Sequence, residues 1–385
     1  MLDAATLIGN RDMFPVLAHW AFFNHAGVAP LPRIATDQLR RYANQAQMQG
    51  YLNSSWYADI ESLRKLCASL INAHRDEIAF IKNTSEGISI VAGGIDWQWG
   101  DLIVTTAVEY PANIYPWLEV VRSRGARLEM VPEQTMPDGS RQVPIEAILA
   151  AAADPRCRVV TLSHVEYASG QRHDLARIGA FCRERKIIFC VDAIQSVGVV
   201  PVDVQAMNID YLSADGHKWM LGPEGAGIFY CRRELVEHTR PLMIGWMNVI
   251  NPQSYGHYDY TLKSNAGRFE CGTYNVPGLL GLLGALTLID QVTVPLIYAR
   301  VQQLLDHLVE GLTKKGYEIV SPREEPMRSG ILSFKSHGHS HDQIVLKCRE
   351  ANIEIAKREG RLRAAPHFYN TEAQIDQLLS VLPFH

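Results

Sequence analysis

Residues 213–227 read SADGHKWMLGPEGAG and place a single lysine, Lys218, directly after a run with the composition of a buried strand. A charged amine in that position is unusual, because removal from water disfavours its ionised form. The same effect makes the amine a better nucleophile toward carbonyl carbons. A lone lysine at a strand end is more often a side chain that reaches back to solvent. Neighbouring residues must therefore decide between a reactive and a surface lysine.

Short apolar runs alternate with helical periodicity on both sides of this stretch, from about residue 60 to residue 240. The runs at 157–165 and 187–196 are rich in apolar and β-branched residues, as strands covered on both faces are. Strands of this kind separated by helices predict an α/β fold with a mostly parallel sheet. Such sheets bind ligands at the carboxyl ends of their strands, where the polar residues discussed below fall.

A second, smaller α+β unit is predicted after an apolar helix at 278–292. Strands are expected at 328–336 and 361–367, with an amphipathic helix at 341–353 between them. A closing helix at 370–382 opens with Thr371 and Gln374 at the spacing of a capping box.

Composition narrows the class of protein. The chain has 385 residues, of which 47% are hydrophobic and 20% charged, and its net charge of −4 gives no reason to expect nucleic acid or an anionic membrane as partner. No apolar run approaches the roughly 20 residues that cross a bilayer. Residues 1–17 contain acids and no continuous apolar core, so we expect no signal peptide. The seven cysteines form no CxxC pair, which favours reduced thiols and a cytoplasmic protein.

Asp192 is the first residue that favours a reactive rather than a surface Lys218. It ends a buried-looking strand, and a buried carboxylate at a ligand site can hold the ring nitrogen of pyridoxal phosphate (PLP) in its protonated form. The alternative is an N-cap for the turn that follows. Gln195, three residues further on, could reach the phenolic oxygen of the same ring.

An anion site is predicted at Thr84 and Ser85, which open a helix with hydroxyls and free backbone N–H groups. The alternative is an ordinary helix cap. Tyr110 follows a strand and could stack on a flat cofactor, although a core or surface tyrosine is the commoner case.

These signals occur in succession along the chain, and in that order the sequence resembles the class V aminotransferase group of PLP enzymes, which have fold type I. The group includes cysteine desulfurases, selenocysteine lyases, kynureninases and isopenicillin-N-epimerase-like proteins. The resemblance runs from about residue 22 to the C-terminus and is most specific where 191–205 joins 210–230. It implies a large PLP-binding domain at 21–291 and a small domain formed by 1–20 and 292–385.

The resemblance also implies a role for each residue of the cofactor site. Lys218 is expected to form the Schiff base with PLP, and Asp192 to pair with the pyridine nitrogen. Gln195 is expected at the phenolic oxygen, and Tyr110 at the place of the stacking aromatic. Phosphate ligands are expected at Thr84, Ser85 and His217.

Two further sets of contacts follow from the same resemblance. Thr273 resembles a residue that reaches the phosphate from the neighbouring subunit, which implies a homodimer. Arg363 resembles the arginine that clamps the substrate carboxylate, a task suited to its two-pronged guanidinium. Asn24 and His25 resemble a loop on the substrate side.

The chain departs from its relatives at two places. Many relatives have a serine two residues before the histidine that precedes the lysine, whereas this chain has Asp215, which we expect to turn toward His217 or a backbone amide. Cysteine desulfurases carry a reactive cysteine in a loop of the small domain, whereas the loop at 356–363 has none. Cys348 and Cys271 are expected to be packed rather than catalytic.

Other sites are weaker candidates. His337, His339 and His341 alternate like a metal-binding strip, but the intervening glycine and serine favour a solvated turn, and we expect no metal. The run GPEGAG at 222–227 precedes a strand rather than a helix, which argues against a dinucleotide-binding loop and an NAD enzyme.

The sequence thus predicts a PLP-dependent enzyme that acts at the α-carbon of a small amino acid through Lys218. Transamination, C–S or C–Se lyase chemistry and epimerisation all remain open, and no persulfide cysteine is expected. One alternative is a true cysteine desulfurase that uses Cys348 or Cys271. An alternative of another class is a non-catalytic or regulatory protein that keeps the fold.

Overall fold

The computed structural model describes residues 4–384. Residues 1–3 and 385 lie outside the described residues. All four belong to the predicted small domain, and residues 1–3 also belong to the stretch in which no signal peptide is expected. The strands are β1 (Ala21–Phe22), β2 (Ile78–Ile81), β3 (Leu102–Thr106), β4 (Arg127–Val131), β5 (Gln134–Thr135), β6 (Arg141–Gln142), β7 (Cys157–Ser163), β8 (Ile188–Asp192), β9 (Tyr211–Asp215), β10 (Gly227–Cys231), β11 (Glu318–Ile319), β12 (Leu332–Lys335), β13 (Ile353–Glu354), β14 (Ala356–Arg358) and β15 (Arg361–Ala364). The helices are α1 (Arg33–Gln49), α2 (Trp56–Leu70), α3 (Thr84–Gly94), α4 (Tyr115–Arg124), α5 (Ile145–Ala152), α6 (Leu175–Arg185), α7 (Arg233–Val236), α8 (Val276–Val292), α9 (Val294–Lys314), α10 (His341–Glu350) and α11 (Glu372–Val381).

The main sheet has seven strands in the order β2-β10-β9-β8-β7-β3-β4. Strand β10 runs antiparallel to both of its neighbours, and the other pairs are parallel. All residues of β8, β9 and β10 are buried, as expected for strands covered on both faces. The predicted α/β fold with a mostly parallel sheet is therefore confirmed.

The parallel strands bring their carboxyl ends to one edge of the sheet. Strands β3, β7, β8 and β9 end there, so the segments that follow them converge although they are far apart in sequence. This edge gathers the polar residues of the site, as the strand pattern predicts.

A second sheet has four antiparallel strands in the order β11-β12-β15-β14. Arg358 of β14 pairs with Arg361 of β15, which leaves Glu359 and Gly360 as a two-residue turn with φ of 47° and 70°. Positive φ at both central residues is the signature of a tight type I′ hairpin. The prediction of a loop is therefore wrong for 356–358, which form β14, whereas the strand expected at 361–367 begins at Arg361 as β15.

The helices and strands predicted for 60–240 and for the C-terminal unit occur within a few residues of the expected places. The capping box of α11 is formed by Thr371 and Gln374 as expected. The sequence interpretation missed α1, α2 and α9; of these, α1 and α2 pack against the buried helix α8. The short strand β1 pairs with β13, and the division into 21–291 and 1–20 with 292–385 stays a prediction.

Within residues 4–384, no single helix has the length and apolar character needed to cross a membrane. Helices α8 and α9 meet the combined requirement of length and apolar character only together, as a pair bent by 80°.

Candidate active site

A cavity of about 410 Å³ opens at the carboxyl edge of the main sheet. Polar groups from several strands converge on it, as is usual for ligand sites. The predicted residues that line it are Thr84, Ser85, Tyr110, Asp192, Gln195, His217, Lys218 and Arg363.

Lys218 lies just beyond β9 and is only 8% exposed. Its Nζ atom makes no hydrogen bond or ion pair with another residue of 4–384 and lies 5.6 Å from the centroid of the Tyr110 ring. Burial lowers the pKa of the Lys218 amine to about 8, against the opposing charge of Asp192. Part of the amine is therefore unprotonated near neutral pH, which makes it a nucleophile.

Asp192 ends β8 and is 2% exposed. Its Oδ1 atom accepts the backbone N–H of Ile194 at 3.0 Å. Burial raises the pKa of Asp192 to about 6, although the Ile194 amide and the charge of Lys218 both favour the carboxylate. The side chain is therefore mostly ionised at neutral pH and can act as the charge partner of a protonated ring nitrogen.

Gln195 is fixed at both ends of its amide. Its Nε2 atom donates to the Ala26 carbonyl at 3.1 Å, and its Oε1 atom accepts from the Trp219 indole at 2.9 Å. The buried amide therefore presents one orientation to the cavity.

The first turn of α3 lies where the anion site is predicted, and the helix is capped by Asn83. Asn83 Oδ1 accepts the backbone N–H of Glu86 at 3.0 Å, whereas Thr84 Oγ1 accepts the backbone N–H of Asp215 at 3.2 Å. Because Asn83 does the capping, the exposed Ser85 hydroxyl is left to face the cavity at the positive end of the helix.

Asp215 turns toward His217 and a backbone amide, as expected. Its Oδ2 atom lies 2.9 Å from His217 Nδ1, and its Oδ1 atom accepts the Gly216 N–H at 2.7 Å. A glycine is required here because a Cβ atom on Gly216 would lie 2.5 Å from the carbonyl oxygen of Ala226.

Arg363 is 1% exposed and reaches the cavity from β15. It donates to the Tyr167 carbonyl at 2.7 Å and to Asn24 Oδ1 at 3.1 Å, while its buried Nε has no partner within 4–384. Burial and the nearby charge of Arg358 lower the pKa of Arg363 to about 9. Neither arginine pairs with a carboxylate of the described residues, so this wall of the cavity suits an anionic ligand.

Asn24 and His25, which were predicted to line the substrate side together, make different contacts. Asn24 contacts Arg363 and so supports the cavity wall. His25 is fully buried, with its two ring nitrogens bonded to the Ala365 carbonyl at 2.8 Å and to the Tyr369 hydroxyl at 2.6 Å. The ring does not line the cavity and both of its nitrogens have partners, so contact between His25 and substrate stays a prediction.

Thr273 does not line the main cavity. It is exposed and borders a separate cavity of about 210 Å³ together with Lys82, Glu86 and Cys271, beside the start of α3. Cys348 is fully buried on α10, and burial raises the pKa of its thiol to about 12.

The three histidines of the predicted turn point to different partners. His337 Nε2 lies 2.9 Å from Glu318, and His341 Nε2 accepts the backbone N–H of Ser336 at 3.0 Å. His339 Nε2 lies 3.2 Å from the carbonyl oxygen of Phe384.

Sequence reasoning missed several residues of the site. The tripeptide Val-Glu-Tyr occurs twice, at 108–110 and 165–167, directly after the neighbouring strands β3 and β7. The second copy supplies Tyr167, whose ring centroid lies 5.3 Å from that of Tyr110. That repetition after two predicted strands was the signal available in the sequence.

These groups fit PLP. A buried amine without a polar partner can bind its carbonyl carbon, the Asp192 carboxylate can face its ring nitrogen, and the first turn of α3 can hold its phosphate. The fold and the cavity define a PLP-dependent enzyme.

The family follows from comparison with known proteins. The model named Aminotransferase class-V matches residues 21–378, so the chain belongs to the class V aminotransferase family. A probable cysteine desulfurase of Pyrococcus abyssi (strain GE5 / Orsay) is 29% identical, over 97% of this chain and 96% of the relative.

Solved structures of C-DES are also similar to this chain. The complex of the cystine C–S lyase C-DES with its reaction product cysteine persulfide is 28% identical, covers 95% of this chain and 98% of its own, and has a TM-score of 0.87. A lysine-to-alanine variant of C-DES, with glycine covalently linked to the PLP cofactor, is 28% identical, covers 98% and 100%, and has a TM-score of 0.89.

Proposed function

We propose that this enzyme cleaves the C–S or C–Se bond of a cysteine-type amino acid by elimination, without forming a persulfide on one of its own cysteines. The observation that carries the proposal is the wall of the cavity: it presents Arg358 and Arg363, and none of its lining residues within 4–384 is a cysteine. The similar proteins named cysteine desulfurase and cystine C–S lyase support sulfur chemistry.

The tight hairpin supports the absence of a persulfide step. An enzyme persulfide needs an exposed thiolate that can move to the substrate sulfur. In the place of a mobile loop, β14 and β15 are joined by the two residues Glu359 and Gly360. Cys348 is buried on α10, and its raised pKa of about 12 keeps it a thiol at neutral pH.

Each side chain then has a defined task. PLP supplies an electron sink for the charge that develops at the substrate Cα. Lys218 would hold the cofactor covalently and, once displaced by the substrate amine, take the Cα proton on Nζ. Asp192 would keep the ring nitrogen protonated, and His217, Thr84 and Ser85 would hold the phosphate.

The arginine pair suggests a substrate with two carboxylates. Arg363 would bind the α-carboxylate, and Arg358, on the adjacent strand, would meet a second one. Cystine has two carboxylates. Its elimination uses one water and yields cysteine persulfide, pyruvate and ammonia: the C–S electron pair leaves with the sulfur, and no external reductant is needed.

A second candidate is a desulfurase that carries the persulfide on Cys271. This cysteine is partly exposed and lies two residues before Thr273, in the segment proposed to reach the neighbouring subunit. In a dimer of that kind, Cys271 would approach the partner's cavity.

Mass spectrometry of the intact holoenzyme after turnover of cysteine and cystine separates the two candidates. Elimination predicts pyruvate and a sulfur product in solution, an unmodified protein mass, and activity retained in the Cys271→Ser and Cys348→Ser variants. A mass increase of one sulfur on either cysteine, with activity lost on its replacement, would overturn elimination and favour desulfurase chemistry.

We further propose a cytoplasmic homodimer in which Thr273 contacts the phosphate bound by the other subunit. The separation of Thr273 from its own cavity, and its exposed position beside α3, support this arrangement.

A further inference from the structure

Two buried glutamates lie beside Asp192, one from each copy of Val-Glu-Tyr. Glu109 is 7% exposed and Glu166 is fully buried. Glu109 accepts the backbone N–H of Ser163 at 2.5 Å and the Ser163 hydroxyl at 2.6 Å. Since Ser163 pairs with Asp192 across β7 and β8, this glutamate adjoins the strand end that carries Asp192.

Glu166 has a different set of partners. Its Oε1 atom accepts the Thr106 hydroxyl at 2.9 Å and lies 3.0 Å from His173 Nε2. Its Oε2 atom is buried and has no hydrogen-bond partner within 4–384. A negative charge on a buried oxygen without a donor costs more than a neutral acid in the same place.

Among residues 4–384, the groups around Glu166 supply no unpaired cation to offset a second charge. Burial lowers the pKa of His173 to about 4 and that of His164 to about 3, so both rings are neutral near pH 7. Glu133 is paired with Arg141 and Arg361. Arg172, which lies near His164, is paired with Glu325. The titratable groups around Glu166 are Glu109, Glu133, His164, Tyr167, His173 and Asp192.

We propose that Glu166 is a neutral carboxylic acid at neutral pH while Glu109 carries the charge, and that this protonation keeps Asp192 ionised in the cavity that would hold PLP. Glu166 is a positioning residue: it acts through Asp192 and does not reach the cavity. Burial raises the pKa of Glu166 to about 8, and burial with a contribution from a charged Glu166 raises the pKa of Glu109 well above its usual range. Since burial raises both pKa values, the donors decide which carboxyl keeps the charge: Ser163 gives Glu109 two hydrogen bonds, whereas Glu166 Oε2 has no donor within 4–384. The inference rests on the PLP site and not on the choice of substrate.

Ionising Glu166 would add a negative charge near Asp192 and raise the pKa of Asp192. A protonated Asp192 is neutral and would no longer be a charge partner for a protonated ring nitrogen. Glu109 and Glu166 occupy matching positions after adjacent strands but have different hydrogen-bond donors. Such a pair is suited to share one proton.

Thermal unfolding of the apoprotein from about pH 5 to about pH 9 tests the proposal without turnover. Because the folded pKa is above the unfolded one, the stability due to the Glu166 proton is full below about 4.5 and is lost as the pH rises toward about 8. Glu166→Gln is neutral at every pH, so its melting temperature relative to the wild type should rise from about pH 5 to about pH 8 and then level off. A constant difference between the two proteins would overturn the proposal.

Glu133→Gln is the matched control. Its hydrogen bonds and ion pairs with Arg361 and Arg141 outweigh burial and lower the pKa of Glu133, so that this carboxylate stabilises the fold above its unfolded pKa. The control variant should therefore lose stability near neutral pH, the opposite sign to Glu166→Gln.

Infrared spectroscopy of the wild-type protein gives a second test that needs no variant to fold. A protonated carboxylic acid band should be present at neutral pH and disappear as the pH passes about 8. Absence of the band at neutral pH, with the proton on His173 instead, would overturn the proposal. In the holoenzyme, the same ionisation should appear as a change in cofactor absorption that Glu166→Gln lacks.

Discussion

The Nζ atom of Lys218 lies 5.6 Å from the centroid of the Tyr110 ring. The amine is buried at a strand end, whereas the ring is 49% exposed at the mouth of the cavity. A cation or an aromatic cofactor gains from such a ring face. The pair therefore marks both the inner end and the entrance of the cofactor site.

Lys218→Ala should remove the covalent bond between protein and cofactor. Wild-type enzyme treated with borohydride should keep PLP on the peptide that contains Lys218, and the variant should keep none. Lys82→Ala is a suitable control, because Lys82 is an exposed lysine that does not line the main cavity. PLP trapped on another lysine of the Lys218→Ala protein would contradict the assignment.

Asp192→Asn should leave PLP content nearly unchanged but reduce kcat by about 10²–10³, the usual cost of losing one preorganised electrostatic group. In the wild type, protonation removes the charge partner, so kcat should fall as the pH drops through about 6. This acid limb should be absent in the variant, since asparagine does not titrate. Unchanged turnover would reduce Asp192 to a cap for the following turn.

Arg358→Gln should raise KM for cystine by about tenfold or more, since one charge-assisted hydrogen bond contributes roughly 1.5–3 kcal/mol. KM for S-methylcysteine, which lacks the second carboxylate, should change little. Lys357→Gln provides the control: Lys357 is on the same hairpin, pairs with Asp342 at 2.6 Å and does not line the cavity. Equal effects on both substrates would exclude a second carboxylate contact.

Mixed dimers test whether Thr273 acts across the interface. Lys218→Ala and Thr273→Val subunits are each impaired alone at limiting PLP. If Thr273 serves the neighbouring subunit, a mixed dimer contains one site with both wild-type residues, so activity should return on mixing. If Thr273 serves its own subunit, no intact site forms and mixing restores nothing. Sedimentation of the holoenzyme should also show a dimer at micromolar concentration.

Residues at strand ends were predictable because the signal is local. Lys218 and Asp192 each follow an apolar run that can only be a buried strand, and parallel strands bring such ends to one edge. The turn of Asp215 toward His217 was also predictable, since a carboxylate beside a phosphate would be repelled. The start of α3 was predicted at the right residue, although Asn83 rather than Thr84 caps it.

Other features depend on contacts that no local pattern reports. The sequence interpretation placed His25 at the substrate because its loop resembles one on the substrate side in the related enzymes. The ring is buried against Ala365 and Tyr369, which are more than 300 residues away in the chain. The short segment at 356–363 looked like a loop because its polar residues hide the pairing of β14 with β15.

The sequence by itself determined the α/β fold, the positions of Asp192 and Lys218 at strand ends and the absence of a cysteine at 356–363, because these follow from residue type and periodicity along the chain. Only the tertiary structure decided which charges are neighbours. Arg358 faces the same cavity as Arg363, and Glu109 adjoins Glu166, because strand pairing joins segments that the chain separates. Burial, which sets the pKa of each of these groups, is likewise a property of the folded chain.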